Sequence, residues 1–102
     1  MSAMFRHVAM FRWTADATEQ AKAAAVAGLA GLPAEIGAIR EYRFGPDAGL
    51  AETNWDFAIV ADFDDEAGYL TYRDHESHQR LLANVLRPVI SERAAVQYTF
   101  DA

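Results

Sequence analysis

Two stretches of the chain, Arg6–Trp13 and Trp55–Phe63, alternate with a period of two and yet are apolar on both sides. In the first, His7, Ala9, Phe11 and Trp13 share one side, with Arg6, Val8, Met10 and Arg12 on the other. In the second, Phe57, Ile59, Ala61 and Phe63 oppose Ala58 and Val60. Period two is the mark of a strand. An antiparallel sheet usually keeps one face polar and wet, so strands like these call for a cover on each side of the sheet.

The remaining segments supply one cover. Asp16, with Glu19 three residues later, predicts a capped helix start, and the helix is expected to run to about Gly31, with Pro33 stopping it. Its inner stripe, Ala21, Ala25, Gly28, Leu29 and Leu32, is thin. Small residues there imply either very close packing on the sheet or a cavity beneath the helix. Ile39–Gly45 reads as a less buried strand near an edge, and Gly45–Asn54 as a turn and loop. Glu66–Arg73 is a short helix opened by Asp64, Asp65 and Glu66, where the helix dipole favours negative charge. A second half-helix is expected to end near Ile90, before a last strand at Ala94–Phe100. The order strand, helix, strand, strand, helix pair, strand is an α+β, ferredoxin-like plan: a four-stranded antiparallel sheet with helices on one face. The other face, through Val8, Met10, Ala58 and Val60, predicts a homodimer of two sheets packed face to face.

Composition excludes several classes. A length of 102 residues predicts one domain over 1–102, able to bury a core without cross-links. No apolar run approaches the ~20 residues needed to cross a bilayer, and no basic-then-apolar leader opens the chain, so a cytoplasmic protein without membrane association is expected. With no cysteine, disulfides, thiolate catalysis and sulfur-based zinc sites are excluded. A net charge of −6 with scattered basic residues argues against a nucleic-acid partner.

Chemistry concentrates in Tyr69–Leu86, which holds two of the three histidines and two of the four tyrosines. From His78 the apolar residues fall at Leu81, Leu82, Val85, Leu86, Val89 and Ile90, one stripe of a helix, with His78 at its head pointing inward. With Asp74 as the expected N-cap, Tyr72 closes the preceding helix, and the bend brings a phenol and an imidazole to one pocket.

Tyr72, His75 and His78 at three-residue spacing, followed by an amphipathic helix broken by Pro88, resemble the signature of the stress-responsive dimeric α/β-barrel (Dabb) family. The opening RHVAMFRW resembles that family's first strand, and GLAGLPAEIGAIREYRFG its passage from first helix to second strand. The resemblance runs from Phe5 to Phe100. It departs at Glu76, where the family often has proline, which leaves the bend less firmly fixed. It implies a dimeric α/β barrel and, by likeness to plant polyketide cyclases, a catalytic pair Tyr72 and His78.

Taken as residues, each candidate also has a structural account. His78 is either a general base, with Tyr72 polarising a carbonyl, or a helix-start residue bonded to backbone. Tyr72 alone fits a half-buried core aromatic. His75 closes the pocket mouth or caps a helix. His7 meets the His78 end of the pocket or is a satisfied core histidine, and Ala9, Phe11, Ala25, Phe57 and Ile59 complete the expected lining. A metal on His7, His75 and His78 with Asp74 or Glu76 matches no recognised ligand spacing, so neither metal nor cofactor is assigned. Three functions follow: a cofactor-free, lyase-type cyclase performing an intramolecular aldol with a His base on a small apolar substrate; a non-catalytic dimeric stress-response or ligand-binding domain; and, by analogy of fold, a cofactor-free monooxygenase.

Overall fold

The computed structural model describes residues 3–102. Four strands, β1 (Ala3–Trp13), β2 (Ile39–Pro46), β3 (Phe57–Phe63) and β4 (Ile90–Asp101), form one antiparallel sheet in the order β2-β3-β1-β4. Helices α1 (Glu19–Glu35), α2 (Glu66–Asp74) and α3 (Glu76–Leu81) cover one face. α3 continues as a π turn, Leu82–Leu86, and a 3₁₀ turn, Arg87–Val89, that delivers the chain into β4. This is the expected ferredoxin-like arrangement, with β2 at an edge as its weaker burial suggests. Among the described residues, no helix is long and apolar enough to cross a membrane.

β1 is central, bonded to β3 on one side and β4 on the other. Its pleat sorts the molecule. His7, Ala9 and Phe11 are buried beneath the helices with Phe57, Ile59, Ala61 and Phe63 of β3 and with Leu29, Leu32 and Ile36 of the α1 end. Val8, paired with Val60 and Val96, and Met10, paired with Ala58 and Ala94, look the other way. On that face Met10, Val96 and Tyr98 are 42%, 56% and 43% exposed, so one apolar side of the sheet has no cover among the described residues. Arg6 crosses the same face to clasp Asp62 with two bonds of 2.7 and 2.8 Å, its guanidinium lying over the Phe100 ring.

Several boundaries differ from expectation. Thr18, not Asp16, is the N-cap of α1, its hydroxyl accepting from the Ala21 N–H at 3.1 Å. Pro33 does not end α1. It sits in the last turn, where its missing N–H forfeits a single helical bond, and buried Leu32 and Ile36 on either side hold the turn against the core. The thin stripe of α1 reflects close approach: a Cβ on Gly28 would run into the Leu81 side chain. Ala25 is wholly buried in that packing. β3 begins at Phe57 and not Trp55, and β4 begins four residues before the expected Ala94.

An unpaired carboxylate in a dry interface costs several kcal/mol. If the open face is where two copies meet, Met10→Asp raises the dimer dissociation constant roughly a hundredfold or more. Ala30→Asp, on the exposed side of α1, leaves it unchanged. Sedimentation at micromolar concentration reads both, and equal dimer fractions in the two variants would place the interface elsewhere.

Candidate functional site

The bend between α2 and α3 is built on His75. Its extended backbone (φ −62°, ψ 139°) ends one helix and begins the next, and its Nδ1 accepts the Ser77 N–H at 3.1 Å. The expected cap, Asp74, instead pairs with Arg73 beside it. An imidazole nitrogen thus does the work of the usual Asp or Ser oxygen, and it fixes the bend in the absence of the proline. His75 does not line the cavity.

The bend leaves the Arg73 carbonyl, at the C-terminal end of α2, without a helical partner, one of the orphan acceptors every helix end creates. His78 Nδ1 donates to it at 3.0 Å and Gln79 Nε2 at 2.6 Å. A carbonyl only accepts, so the proton of the neutral His78 ring is held on Nδ1 and the Nε2 lone pair is bare. Burial pushes the His78 pKa below its ordinary 6.5, against the Arg73 hydrogen bond, which raises it.

His7 has the opposite tautomer. The Gln97 side-chain amide, placed on the same side of β4 by the pairing of Gln97 with His7, donates to His7 Nδ1 at 2.8 Å, so the ring proton lies on Nε2. Burial, with smaller contributions from the positive charges of Arg93 and His78, lowers its pKa to about 4. Tyr72 stands between the two imidazoles, its ring centroid 4.3 Å from His78 and 6.2 Å from His7. Its hydroxyl is 3.0 Å from that of Tyr42 on β2, and burial raises the pKa of both phenols. When Tyr42 donates in this pair, the Tyr72 proton is free to be given to a third group.

His7, Tyr72 and His78 border a cavity of about 460 Å³ lying between the sheet, Leu29 of α1 and the α2–α3 arm. Of the residues expected to line it, His7, Ala9, Phe11, Ile59, Tyr72 and His78 do so. Ala25 and Phe57 do not: Ala25 is locked in the α1 packing, and Phe57 stacks on Phe11 and Phe44 toward the far end of the sheet. The lining also holds Tyr69, Gln79, Leu82, Leu86, Ile90 and three arginines, Arg73, Arg87 and Arg93. Arg93 was findable from sequence in principle, because register pairs it with inward-facing Phe11. The edge position of β4 blurs that pattern by exposing both of its sides. Among the described residues, no cluster of three or more His, Asp or Glu is placed to hold a metal.

The chain matches the family model of the stress responsive A/B barrel domain, Dabb, over residues 5–100. A solved protein from Thermobifida fusca, described as dimeric, ferredoxin-like and of unknown function, is 40% identical over 98% of this chain and 93% of its own, with a TM-score of 0.88. A dimeric ferredoxin-like protein from Bacteroides fragilis, also of unknown function, is 26% identical over 95% and 96%, with a TM-score of 0.80. A hydroxynitrile lyase from Passiflora edulis, 15% identical over 96% and 94%, with a TM-score of 0.85, shares the fold. No curated protein matches the chain.

The two depressed imidazoles give stability a pH dependence of definite sign. Unfolded, His7 takes up a proton near pH 6.5; folded, it refuses one until about pH 4. The stabilisation is complete above 6.5 and is lost as pH falls through that window, by roughly 3 kcal/mol at most. His78 adds to it with the same sign. Urea unfolding at pH 7 and about pH 4.5 is therefore expected to show a marked loss at the lower pH, and His7→Gln to remove much of it. An unchanged difference in the variant would mean that His7 is not held neutral by burial.

Proposed function

We propose that this chain, which belongs to the stress responsive A/B barrel domain (Dabb) family, binds a small, largely apolar carbonyl compound in the cavity and catalyses cofactor-free proton transfer at carbon. The observation that carries this is the fixed tautomer of His78: a buried, neutral imidazole with its proton tied to a backbone carbonyl and its Nε2 lone pair unshared. Such a group is a base at neutral pH without further tuning.

In this reading His78 Nε2 removes a proton from the carbon next to the carbonyl, and the electron pair moves onto the carbonyl oxygen. The Tyr72 hydroxyl, backed by Tyr42, and the Nε2–H of His7 are the donors available to the resulting enolate. A substrate with a second carbonyl in the same molecule can then close a ring: the enolate carbon attacks that carbonyl, and the imidazolium of His78 returns its proton to the new alkoxide. The outcome is an intramolecular aldol of the polyketide-cyclase kind, performed by a homodimer in which each copy holds its own cavity. A non-catalytic, ligand-binding domain would use the same cavity but would have no need of the bare nitrogen.

The test is deuterium exchange at the carbon next to the carbonyl of an aromatic ketone such as α-tetralone, followed by NMR in D₂O. Wild-type protein is expected to accelerate it by about a hundredfold or more, and His78→Ala to lose most of that while α-tetralone still raises the melting temperature. Tyr72→Phe keeps the aromatic packing and should lose roughly tenfold or more, as removal of an oxyanion donor does. Ala9→Leu, which fills the cavity floor, should abolish both exchange and the melting shift. Exchange rates equal in wild type and His78→Ala would leave the domain as a binding module.

A further inference from the structure

We propose that the ligand of this cavity carries a carboxylate, held at the mouth by Arg87 and Arg93, with its apolar body lying inward against Phe11, Leu29 and Ile59. The inference rests on the cavity being a ligand site, as argued above, and adds the chemical class of what enters.

Three observations converge. The chain is acidic, with 15 Asp and Glu against 9 Lys and Arg, yet the cavity lining contains three arginines and no carboxylate. Seven of the nine basic residues are paired: Arg6 with Asp62, Arg12 with Glu92, Lys22 with Glu19, Arg40 with Asp64, Arg43 with Glu41, Arg73 with Asp74 and Arg80 with Glu76. Among the described residues, the two left without an ion pair are Arg87 and Arg93, and both border the cavity. Arg93 also faces the helix side of the sheet, since it pairs with Phe11, whose side chain is buried there. It therefore stands over a cavity whose floor includes Ala9, Phe11 and Ile59.

Chance placement accounts poorly for that pattern, because a chain with surplus carboxylates has ample partners for every guanidinium. What remains is a mouth with ten N–H donors on two guanidiniums and, among the described residues, no carboxylate paired with either. A carboxylate is the planar, two-oxygen acceptor that the guanidinium fork fits in pairs. The apolar floor excludes a fully polar anion, which would lose its hydration against Phe11 and Leu29 without compensation.

The test compares two probes of the same shape, 2-naphthoate and the neutral 2-naphthamide, by calorimetry on the 102-residue chain. Wild type is expected to bind 2-naphthoate about tenfold or more tightly than the amide, with a preference that shrinks as salt is raised. Arg93→Met should remove most of the preference while leaving affinity for the amide within about twofold, and Arg93→Lys should restore part of it. Arg87→Met should act in the same direction. Equal binding of both probes by wild type, or a preference that survives in the double Met variant, overturns the carboxylate inference and leaves the cavity reading intact. Binding of neither probe removes the cavity reading and this inference with it.

Discussion

The pleat of β1, bonded to β3 and β4 along most of its length, is the constraint from which the character of both faces of the sheet descends. A strand in the middle of a sheet cannot slip by one residue without exchanging its faces. His7, Ala9 and Phe11 therefore lie under the helices only because Val8 and Met10 look away from them. The neighbours of His7 in register are Ala61, small enough to leave it room, and Gln97, whose amide satisfies its Nδ1. A buried polar ring without such a partner would cost on the order of 1–3 kcal/mol. With it, the histidine becomes a fixed N–H donor facing the cavity side of the fold.

The second constraint is the α2–α3 bend, which converts a helix end into a chemical device. Helix ends leave carbonyls unsatisfied, and here the Arg73 carbonyl is satisfied by the catalytic candidate itself and by Gln79. The bond therefore serves two links of the chain at once: it closes the local accounting of backbone acceptors, and it decides which nitrogen of His78 is free. His75 supports the arrangement from behind as the cap of α3. The Tyr72–His78 ring contact, at 4.3 Å, holds the phenol and imidazole together more tightly than spacing alone conveys.

Much of this was legible in the sequence because it rests on periodicity. The phase of β1 and of β3, the ferredoxin-like order and the inward turn of His78 are all consequences of two- and three-to-four-residue spacing. What periodicity misses are competitions that only the assembled chain decides. Asp16 and Thr18 are both sound caps, and Asp74 and His75 compete likewise; Asp74 is drawn away by the guanidinium next to it. Pro33 looks like a stop but is tolerated where a helix has almost ended. Glycine and alanine on α1 signalled either contact or space, and both occur along the stripe: Leu81 fills the position against Gly28, while Leu29 borders the cavity. The arginines at the mouth stayed hidden for a different reason: whether a cation is paired is a tertiary fact, and a sequence with 15 acidic residues suggests a partner for each.

Electrostatics links the mouth to the proposed base. The positive charge of Arg93 lowers the proton affinity of both His7 and His78, although burial is the larger influence on each. That field favours the neutral rings and so their complementary tautomers, and in the proposed reaction it would make the imidazolium of His78 more costly to form. A carboxylate seated on Arg93, as proposed, would cancel much of that field at the position where the cost arises. Its effect falls with distance and is strongest in a cavity from which water has been displaced. The same ligand group that anchors the molecule would then raise the basicity of His78, so that an anionic substrate would favour its own deprotonation in a way that its neutral isostere would not.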